Sequence, residues 1–528
     1  MNTLFFNGKI ASLDCNNNFY EAIGIKDNKI NFLGTDLEAS EIKNSYDKII
    51  DLNKKTLLPG FNDSHMHLLN YGYTLEKMDL TKLNSIDEII TAGKEFIDNR
   101  PSGELNCLLG RGWNQDRLKE NRFVTLEDLD KISTDIPVIF TRVCGHIAVC
   151  NTKALSYLNI EDINDNPNID IKKGVFKEYA ISIINGIIPP PSIEAMKNMI
   201  INTCKELLSY GITSVQTDDF DAMPNKSFKN VLTAYRELIE EDKLPVRIYE
   251  QCLFETKENF KDFINLGYKT GDGDNFFKIG PLKLLLDGAL GGRTASLRNP
   301  YSDDPTNCGI SIYNQEELDN YIKVAHDNGF QTAAHAIGDN AMDLYLNALE
   351  KLGVALKEQR HGIVHCQITS KDIIERMKNL DVMAYIQPIF LDYDMHIVED
   401  RVGERAKESY AFKTMDDLGI KLSIGSDAPV VHFNPFENIY SAVCRKDLSK
   451  YPENGFMPLE KLSLESALKM FTIDSAYCSF EENIKGSLEL GKLADLVVLD
   501  RDIFTIPEDE IKDIHAEITM VDGKIVYQ

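Results

Sequence analysis

The middle of the chain alternates between short apolar stretches and longer amphipathic ones, and this alternation limits the folds open to it. Strand patterns cover residues 213–216, 246–252, 282–286, 330–335, 362–365, 382–387 and 421–424, and an opening strand begins at Leu57. Helical patterns lie between them, as at 316–328, 340–352 and 371–379. Alternating strands and helices build a parallel sheet. Eight such strands close a (β/α)8 barrel, so the sequence predicts an α/β protein with a TIM-like barrel.

The segment at about 70–190 interrupts the alternation and is predicted to be an insertion after barrel strand 1. It has strand patterns of its own at 107–109 and 138–141, and it contains the single tryptophan, Trp113. The proline run at 189–191 is typical of a stiff linker. We therefore expect the barrel to resume after this run.

Both ends of the chain are rich in short strand patterns. Residues 1–56 contain several, and the C-terminus adds strands at 495–500, 518–521 and 524–527, the last two joined by Asp522-Gly523 as a hairpin. Residues 1–56 alone are too few to bury a good core. The sequence therefore predicts a composite β-sandwich domain of residues 1–58 and 480–528, with the barrel domain at 59–479.

Charge and composition narrow the class of partner and the compartment. The 528 residues carry a formal net charge of −26 at pH 7, and such a surface repels nucleic-acid phosphates and anionic membranes. No apolar run reaches the ~20 residues of a membrane span, and no signal peptide is evident. Ten cysteines without a C-x-x-C pair fit reduced thiols. We expect a cytoplasmic protein that acts on a small molecule, with a homodimer left open.

Two histidines one residue apart, His65 and His67, end the opening strand. In an extended backbone, positions i and i+2 point to the same side, so both imidazoles can face one point beyond the strand. Imidazole nitrogens suit zinc. The pair alone is weak evidence, since two surface histidines in a turn have the same spacing.

Three other predicted strands end in residue types that bind metals, namely His335, His365 and Asp427. Active sites of (β/α)8 barrels lie at the carboxyl ends of the strands, so these side chains and the first pair are expected to converge. A single strand-end histidine can instead hydrogen-bond a loop. Five residues of metal-binding type at the ends of predicted strands together favour a metal site.

Lys283 lies inside an apolar strand pattern, where a buried charge is costly. A desolvated amine becomes nucleophilic, and it can capture carbon dioxide as a carbamate, which is an anionic oxygen ligand. Alternatively, Lys283 extends toward solvent or pairs with Asp287. The sequence leaves these interpretations open.

Ordered motifs along nearly the whole chain resemble those of the amidohydrolase superfamily. They lie at residues 59–67, 425–430 and 486–495, together with the single histidines that end two later strands. More narrowly, the chain is similar to the branch that includes N-substituted formamide deformylases, through motifs at 145–146, 151–155, 287–295, 335–339 and 360–361. Each motif is modest alone, but their order is specific.

The resemblance implies a metal-dependent hydrolase domain at 59–479 that cleaves a C–N bond of an amide or N-substituted formamide with a metal-activated water. The implied cofactor is Zn²⁺, as one or two ions, with another divalent metal left open. The implied metal-site residues are His65, His67, His335, His365, Asp427 and, as a carboxylated bridging ligand, Lys283. Asp427 and His335 are the implied catalytic residues.

Substrate contacts are expected from strand-end loops and from the insertion. The candidates are Trp113, His146, Glu178, Asp287, Arg293 and Gln387. Trp113 can instead pack in a core, His146 can form a structural hydrogen bond, and Glu178 can cap a helix. Rival functions are a deaminase or a cyclic-amide hydrolase of the same fold, and a catalytically silent regulatory protein.

Overall fold

The computed structural model describes residues 2–99, 107–353 and 356–528. They divide into two compact units, one of residues 1–68, 200–222 and 226–528, the other of residues 69–199 and 223–225. The chain passes from one unit to the other within helices Leu68–Leu75 and Ile193–Ser209. No helix in the described ranges is both long enough and apolar enough to span a bilayer.

Eight parallel strands, joined side by side in chain order, form the central sheet of the first unit. They are Phe61–Met66, Ile212–Thr217, Arg247–Leu253, Phe277–Leu285, Thr332–Ala336, Gly362–His365, Met383–Ile386 and Leu422–Ile424. We call them barrel strands 1 to 8. Every one overlaps a strand predicted from the sequence, and the (β/α)8 fold is confirmed.

Hydrogen bonds between barrel strand 1 and the residues that follow barrel strand 8 nearly close the barrel. The N–H of Asp427 donates to the carbonyl of His65 at 2.8 Å, and the N–H of Ser426 donates to Oδ1 of Asp63 at 3.0 Å. A Cβ on Gly425 would lie 2.5 Å from the backbone nitrogen of His65, so only glycine permits this approach. The carboxyl ends of strands 1 and 8 are therefore neighbours.

Helices follow most barrel strands. They include Phe228–Glu240, Lys257–Asn265, Gln315–Asp327, Asp339–Leu352, Lys371–Asn379, Phe412–Asp417, Pro435–Cys444, Leu464–Met470 and Ile473–Cys478. Gln315–Asp327 shows why they form: Asn314 and Glu317 make a capping box, and the buried face repeats at Leu318, Ile322 and Ala325. The three helices predicted at 316–328, 340–352 and 371–379 agree within one residue at each end.

Strands from both ends of the chain form a six-stranded sheet. Its order is Lys524–Tyr527, Ala516–Val521, Leu496–Leu499, Thr56–Pro59, Lys9–Ala11 and Phe19–Tyr20. A second sheet has the order Lys29–Gly34, Ala22–Lys26, Thr3–Phe6 and Lys48–Asp51. Phe5 and Ile23 of the second sheet share a core with Met520 of the first. We propose 1–58 and 480–528 as the limits of this domain.

The opening strand predicted from Leu57 is in fact two strands. Thr56–Pro59 belongs to the terminal sheet, and Phe61–Met66 is barrel strand 1. Gly60 separates them, and a Cβ there would lie 2.3 Å from Oγ1 of Thr213. The chain therefore leaves the sheet and enters the barrel at a glycine that packs tightly against barrel strand 2.

The second unit has a sheet of its own. Its strand order is Ile169–Asp170, Val175–Lys177, Ile147–Cys150, Val138–Arg142, Leu108–Trp113 and Met78–Asp79. Its longer helix is Ile86–Asp98, and its short helices are Leu126–Asp130, Thr152–Leu155, Ile160–Ile163 and Ile181–Asn185. We propose this unit as the insertion expected at about 70–190.

Candidate metal centre

Donor atoms of five side chains gather at the carboxyl ends of the barrel strands. His65, His365 and Asp427 each offer an atom, and these atoms lie within 4.8 Å of one another. His65, His67 and Asp218 form a second group that meets the same limit. The two groups share His65, so together they make one continuous cluster.

Asp427 contacts both histidines of barrel strand 1. Its Oδ1 lies 3.3 Å from Nε2 of His65 and 3.0 Å from Nε2 of His67. His65, His365 and Asp427 are buried, whereas the ring of His67 is partly exposed. One carboxylate oxygen thus faces two imidazole nitrogens in a nearly dry environment.

Glutamine side chains fix the ring of His65 and the ring of His365. Nδ1 of His65 donates to Oε1 of Gln251 at 2.8 Å, and Nδ1 of His365 donates to Oε1 of Gln387 at 2.8 Å. The amide nitrogen of Gln251 donates to the carbonyl of Ser64, so its oxygen must face the ring. A proton on Nδ1 leaves the lone pair of Nε2 free for a metal.

Burial also keeps these two rings neutral. It lowers the pKa of His65, with help from the charge of Lys283, and holds the pKa of His365 well below its ordinary value. A neutral imidazole is the form that binds metals. The state of both rings therefore suits a ligand.

On the rings of His335 and His67, the acceptor of the Nδ1 hydrogen bond is a carboxylate. Oδ1 of Asp287 accepts from Nδ1 of His335 at 2.9 Å, and Oδ1 of Asp218 accepts from Nδ1 of His67. The ring of His335 lies beside that of His365, with 4.4 Å between ring centroids. All four histidines therefore have a partner on Nδ1.

Lys283 extends from barrel strand 4 into the cluster. Its Nζ donates to Oδ2 of Asp218 at 3.1 Å and lies 3.3 Å from Nε2 of His65. The alternative pairing with Asp287 is wrong. Both oxygens of Asp287 are already taken, by His335 and by backbone N–H groups, Gly338 among them.

Charges within the cluster balance without a metal. Burial lowers the pKa of His67, but the charge of Asp218 and hydrogen bonds to Asp218 and Asp427 outweigh it and raise this pKa to about 10. Burial raises the pKa of Asp427, but the hydrogen bond and the charge of His67 outweigh it and hold this pKa well below its ordinary value. His67 and Lys283 thus oppose two carboxylates. When His67 and Lys283 each lose one proton, the two carboxylates give the cluster a net charge of −2. A divalent metal ion neutralises that charge.

Two members of the cluster have strained backbones. His365 has φ +78° and Asp427 has φ +62°, in the left-handed region that residues with a side chain rarely adopt. Such residues persist where the surrounding structure holds them, and they concentrate at functional sites. His365 is the last residue of barrel strand 6, and Asp427 lies three residues after barrel strand 8.

The six candidate substrate residues have different positions. Gln387 and Asp287 contact ring nitrogens of the cluster, as described above. Arg293 lies outside the cluster and pairs with Asp303 at 2.8 Å. A direct contact of these residues with substrate stays a prediction.

The three candidates of the second unit lie in two places. Trp113 is fully buried in that unit's core, and its indole N–H donates to the carbonyl of Phe140 at 3.2 Å, which is the packing alternative. His146 and Glu178 are both exposed and contact each other at 3.0 Å, between Nδ1 and Oε2. Their role toward substrate stays a prediction.

Sequence reasoning missed Asp218 and Gln251, although both left a signal. Asp218 comes directly after barrel strand 2, at the carboxyl end where ligands of a barrel collect. Gln251 is an amide inside the buried barrel strand 3, and a buried polar side chain requires a partner. Reading all eight strand ends would have found Asp218.

Comparison with known proteins assigns the chain to a family. The profile of the amidohydrolase family matches residues 48–527. The chain belongs to the amidohydrolase family. It is 32% identical over 491 residues to YtcJ of Bacillus subtilis (strain 168), a protein named provisionally as an amidohydrolase, and the match covers 91% of this chain and 90% of YtcJ.

Two further relatives agree with this membership. The N-substituted formamide deformylase of Arthrobacter pascens is 23% identical over 558 residues, covering 99% of this amidohydrolase and 98% of the deformylase. The crystal structure of an uncharacterized metal-dependent hydrolase from Pyrococcus furiosus matches with a TM-score of 0.79 at 30% identity, covering 95% and 99% of the two chains. The resemblance inferred from motifs is thus confirmed, and the protein is a metal-dependent hydrolase.

Proposed function

We propose that this amidohydrolase cleaves the C–N bond of an amide, with N-substituted formamides as the first substrates to test. The observation that carries the proposal is the position of Asp427, whose Oδ1 faces Nε2 of both His65 and His67. A buried carboxylate beside the ligands is placed to exchange protons with a reacting water. The name of the Arthrobacter pascens relative supports the choice of formamides.

We propose that His65, His67, His365 and Asp427 hold the metal, with His335 and Lys283 beside them. Zn²⁺ is the favoured ion, because imidazole nitrogen and carboxylate oxygen are its usual ligands in catalytic sites. When bound, such an ion supplies Lewis acidity and lowers the pKa of water. The number of ions depends on the state of Lys283.

Lys283 is proposed to act as a carbamate in the working enzyme. Its Nζ lies between Asp218 and His65, so a carboxyl group added there would enter the donor cluster. The neutral amine attacks carbon dioxide and loses a proton, which gives an anionic carbamate. This anion would supply oxygen ligands to two ions, whereas unmodified Lys283 leaves a site for one.

Asp427 is proposed to carry the proton of the reaction. It takes a proton from the attacking water, and the water oxygen bonds to the substrate carbonyl carbon. Asp427 then gives that proton to the leaving nitrogen, the C–N bond breaks, and a carboxylic acid and an amine are released. His335 is proposed to contact the carbonyl oxygen, with its ring oriented by Asp287.

The proposal is tested by a substrate panel on zinc-loaded protein. The panel contains N-substituted formamides, longer acyl amides, cyclic amides and amino-substituted heterocycles, and the products are free amine, carboxylate and ammonia. We expect an N-substituted formamide to give equal amounts of formate and amine. Ammonia from the heterocycles alone would show a deaminase instead. No product from any member, with metal bound, would refute an amide-cleaving enzyme.

A further inference from the structure

A cavity of about 340 Å³ lies in the first unit, next to the metal cluster. Its wall includes Leu290, Ile337 and Phe390. The ring of Phe390 stacks on that of His365, with 6.0 Å between centroids and 14° between planes. The N–H of Ile337 donates to Oδ1 of Asp287, the carboxylate that orients His335. Residues of the cavity wall are therefore in direct contact with residues of the candidate metal centre.

The rim of this cavity leaves large apolar side chains in water. Tyr393 is 76% exposed and Val430 is 66% exposed, and both line the cavity. Adjacent exposed apolar side chains around a concavity are typical of a ligand site. The size and the apolar wall suit an aliphatic or aromatic group rather than a highly charged one.

One carboxylate, that of Asp394, also lines the cavity. Its Oδ2 accepts from the hydroxyl of Tyr410 at 2.7 Å and from Nε2 of Gln367 at 3.3 Å. In the described part of the chain, neither a donor to Oδ1 nor a cationic partner of Asp394 is found. The carboxylate is thus held by two neutral donors through one oxygen, and the other oxygen is free to bind.

The environment of Asp394 explains why a cation would be bound there. Burial raises its pKa to about 6, against the lowering effect of the Tyr410 hydrogen bond. Above that pH the group is an anion at the edge of an apolar cavity, without a protein cation to offset it. A buried or half-buried charge is stabilised by pairing, so a cationic ligand group would supply what the chain lacks.

We propose that this cavity receives the N-substituent of the substrate, and that Asp394 binds a cationic group at the far end of an apolar stem. This inference rests on the proposed function, because it names the class of amide that the metal site would cleave. The substrate class is an N-formyl or N-acyl derivative of a diamine or of an amine with a distant cationic group. Asp394 is here a specificity residue, and it takes no part in bond cleavage.

The test compares two formamides of equal length, N-(5-aminopentyl)formamide and N-hexylformamide. With wild-type enzyme we expect kcat/KM to favour the aminopentyl compound about 10- to 100-fold, the range of one charged hydrogen bond. In Asp394→Asn the preference should fall below about 3-fold, mainly through KM, because asparagine keeps the size and the Tyr410 contact but not the charge. Asp400→Asn, an exposed residue nearby in the chain, is the matched control and should keep the wild-type preference.

A second variant keeps the test valid if Asp394→Asn does not fold. Gly291 lines the cavity, and a Cβ there has no neighbour closer than 3.7 Å, so Gly291→Leu adds volume without a backbone clash. It should lower kcat/KM for both long formamides at least about 10-fold and spare N-methylformamide. An equal loss of kcat/KM on the short and long substrates would overturn the cavity assignment. A wild-type enzyme that shows no preference for the ammonium substrate would also overturn it, as would an Asp394→Asn variant that retains this preference.

Calorimetry with n-pentylammonium and n-pentanol separates failure of this inference from failure of the proposed function. If no formamide is cleaved but wild-type protein binds the ammonium ion and Asp394→Asn does not, the cavity assignment stands and the reaction was wrong. If formamides are cleaved without ammonium preference, the reaction stands and the cavity assignment is wrong. Absence of ammonium binding to the wild type also overturns the assignment.

Discussion

Oδ1 of Asp427 lies 3.0 Å from Nε2 of His67, the ring nitrogen opposite the one that contacts Asp218. His67 is therefore held between two carboxylates, and in the metal-free protein it carries a proton on each nitrogen. A metal that binds Nε2 must displace one of these protons.

Zinc binding to the metal-free protein should release protons at neutral pH. His67 loses one because its pKa is about 10, and carboxylation of Lys283 releases two more, since an ammonium group that becomes a carbamate loses two protons. Titration calorimetry in buffers of different ionisation enthalpy measures this number. A binding enthalpy that is the same in every buffer would contradict the prediction.

The stability of the metal-free protein should fall in alkali. The folded-state pKa of His67, about 10, lies above its ordinary value of 6.5, so the folded state binds this proton more tightly than the unfolded state. The stabilisation is complete below pH 6.5 and is lost as the pH rises through about 10. Urea unfolding across this interval measures it. Asp218→Asn should flatten the dependence, whereas Asp400→Asn should leave it unchanged.

Asp427→Asn should abolish most turnover and spare most of the metal. The amide cannot accept and return a proton, and loss of a general acid–base typically lowers kcat by about 100- to 10,000-fold. The remaining donors, His65, His67 and His365, still offer ring nitrogens. Kinetics and elemental analysis of the same preparation give both quantities. Near-normal turnover would remove Asp427 from the proton-transfer role.

Gln387→Leu and Gln251→Leu should each weaken metal binding about 10- to 100-fold. Gln387 accepts from His365 and Gln251 from His65, so each substitution removes the acceptor that fixes the tautomer and orientation of one ring. Competition with a chelator measures the affinity. Gln359→Leu is the control, since Gln359 also accepts from histidine, His326, but away from the cluster. If all three variants lost affinity equally, the glutamines would act through general stability.

Lys283→Ala should lower metal content, and a short carboxylic acid such as propionate should restore part of it. The added carboxylate would replace the oxygen ligands that a carbamate on Lys283 provides. Asp218 would lose its Nζ partner in this variant, so the unfolding midpoint should be recorded in parallel. Full metal content without any added acid would argue against a bridging carbamate.

The barrel was predictable because most of its strands are short apolar runs with helical patterns between them, and four of them lead into residue types that bind metals. The positions of His65, His335, His365 and Asp427 at strand ends follow from the same regularity. The local sequence pattern therefore predicted both the strand order of the barrel and most of the residues of the donor cluster. The domain boundary predicted between residues 58 and 59 lies beside the break at Gly60, although the pattern from Leu57 was expected to form one strand and forms two.

Contacts between distant side chains were beyond sequence reasoning. Asp287 and Gln387 each accept a hydrogen bond from an imidazole, a contact that the sequence did not indicate, and their contact with substrate stays a prediction. Lys283 pairs with Asp218 of a strand two positions away in the sheet. Which polar residue meets which depends on side-chain directions across the barrel, and spacing along one strand does not encode them.

The terminal sheet ties the order of synthesis to the integrity of the enzyme. Thr56–Pro59, which leads directly into barrel strand 1, pairs with Leu496–Leu499. On the ribosome this apolar strand emerges early, and the strand that covers its edge emerges near the end. A chain released before Leu496 would expose an open edge of the kind that promotes aggregation, directly before the barrel strand that carries His65. Leu496–Leu499 therefore shields an apolar strand that is synthesised long before it.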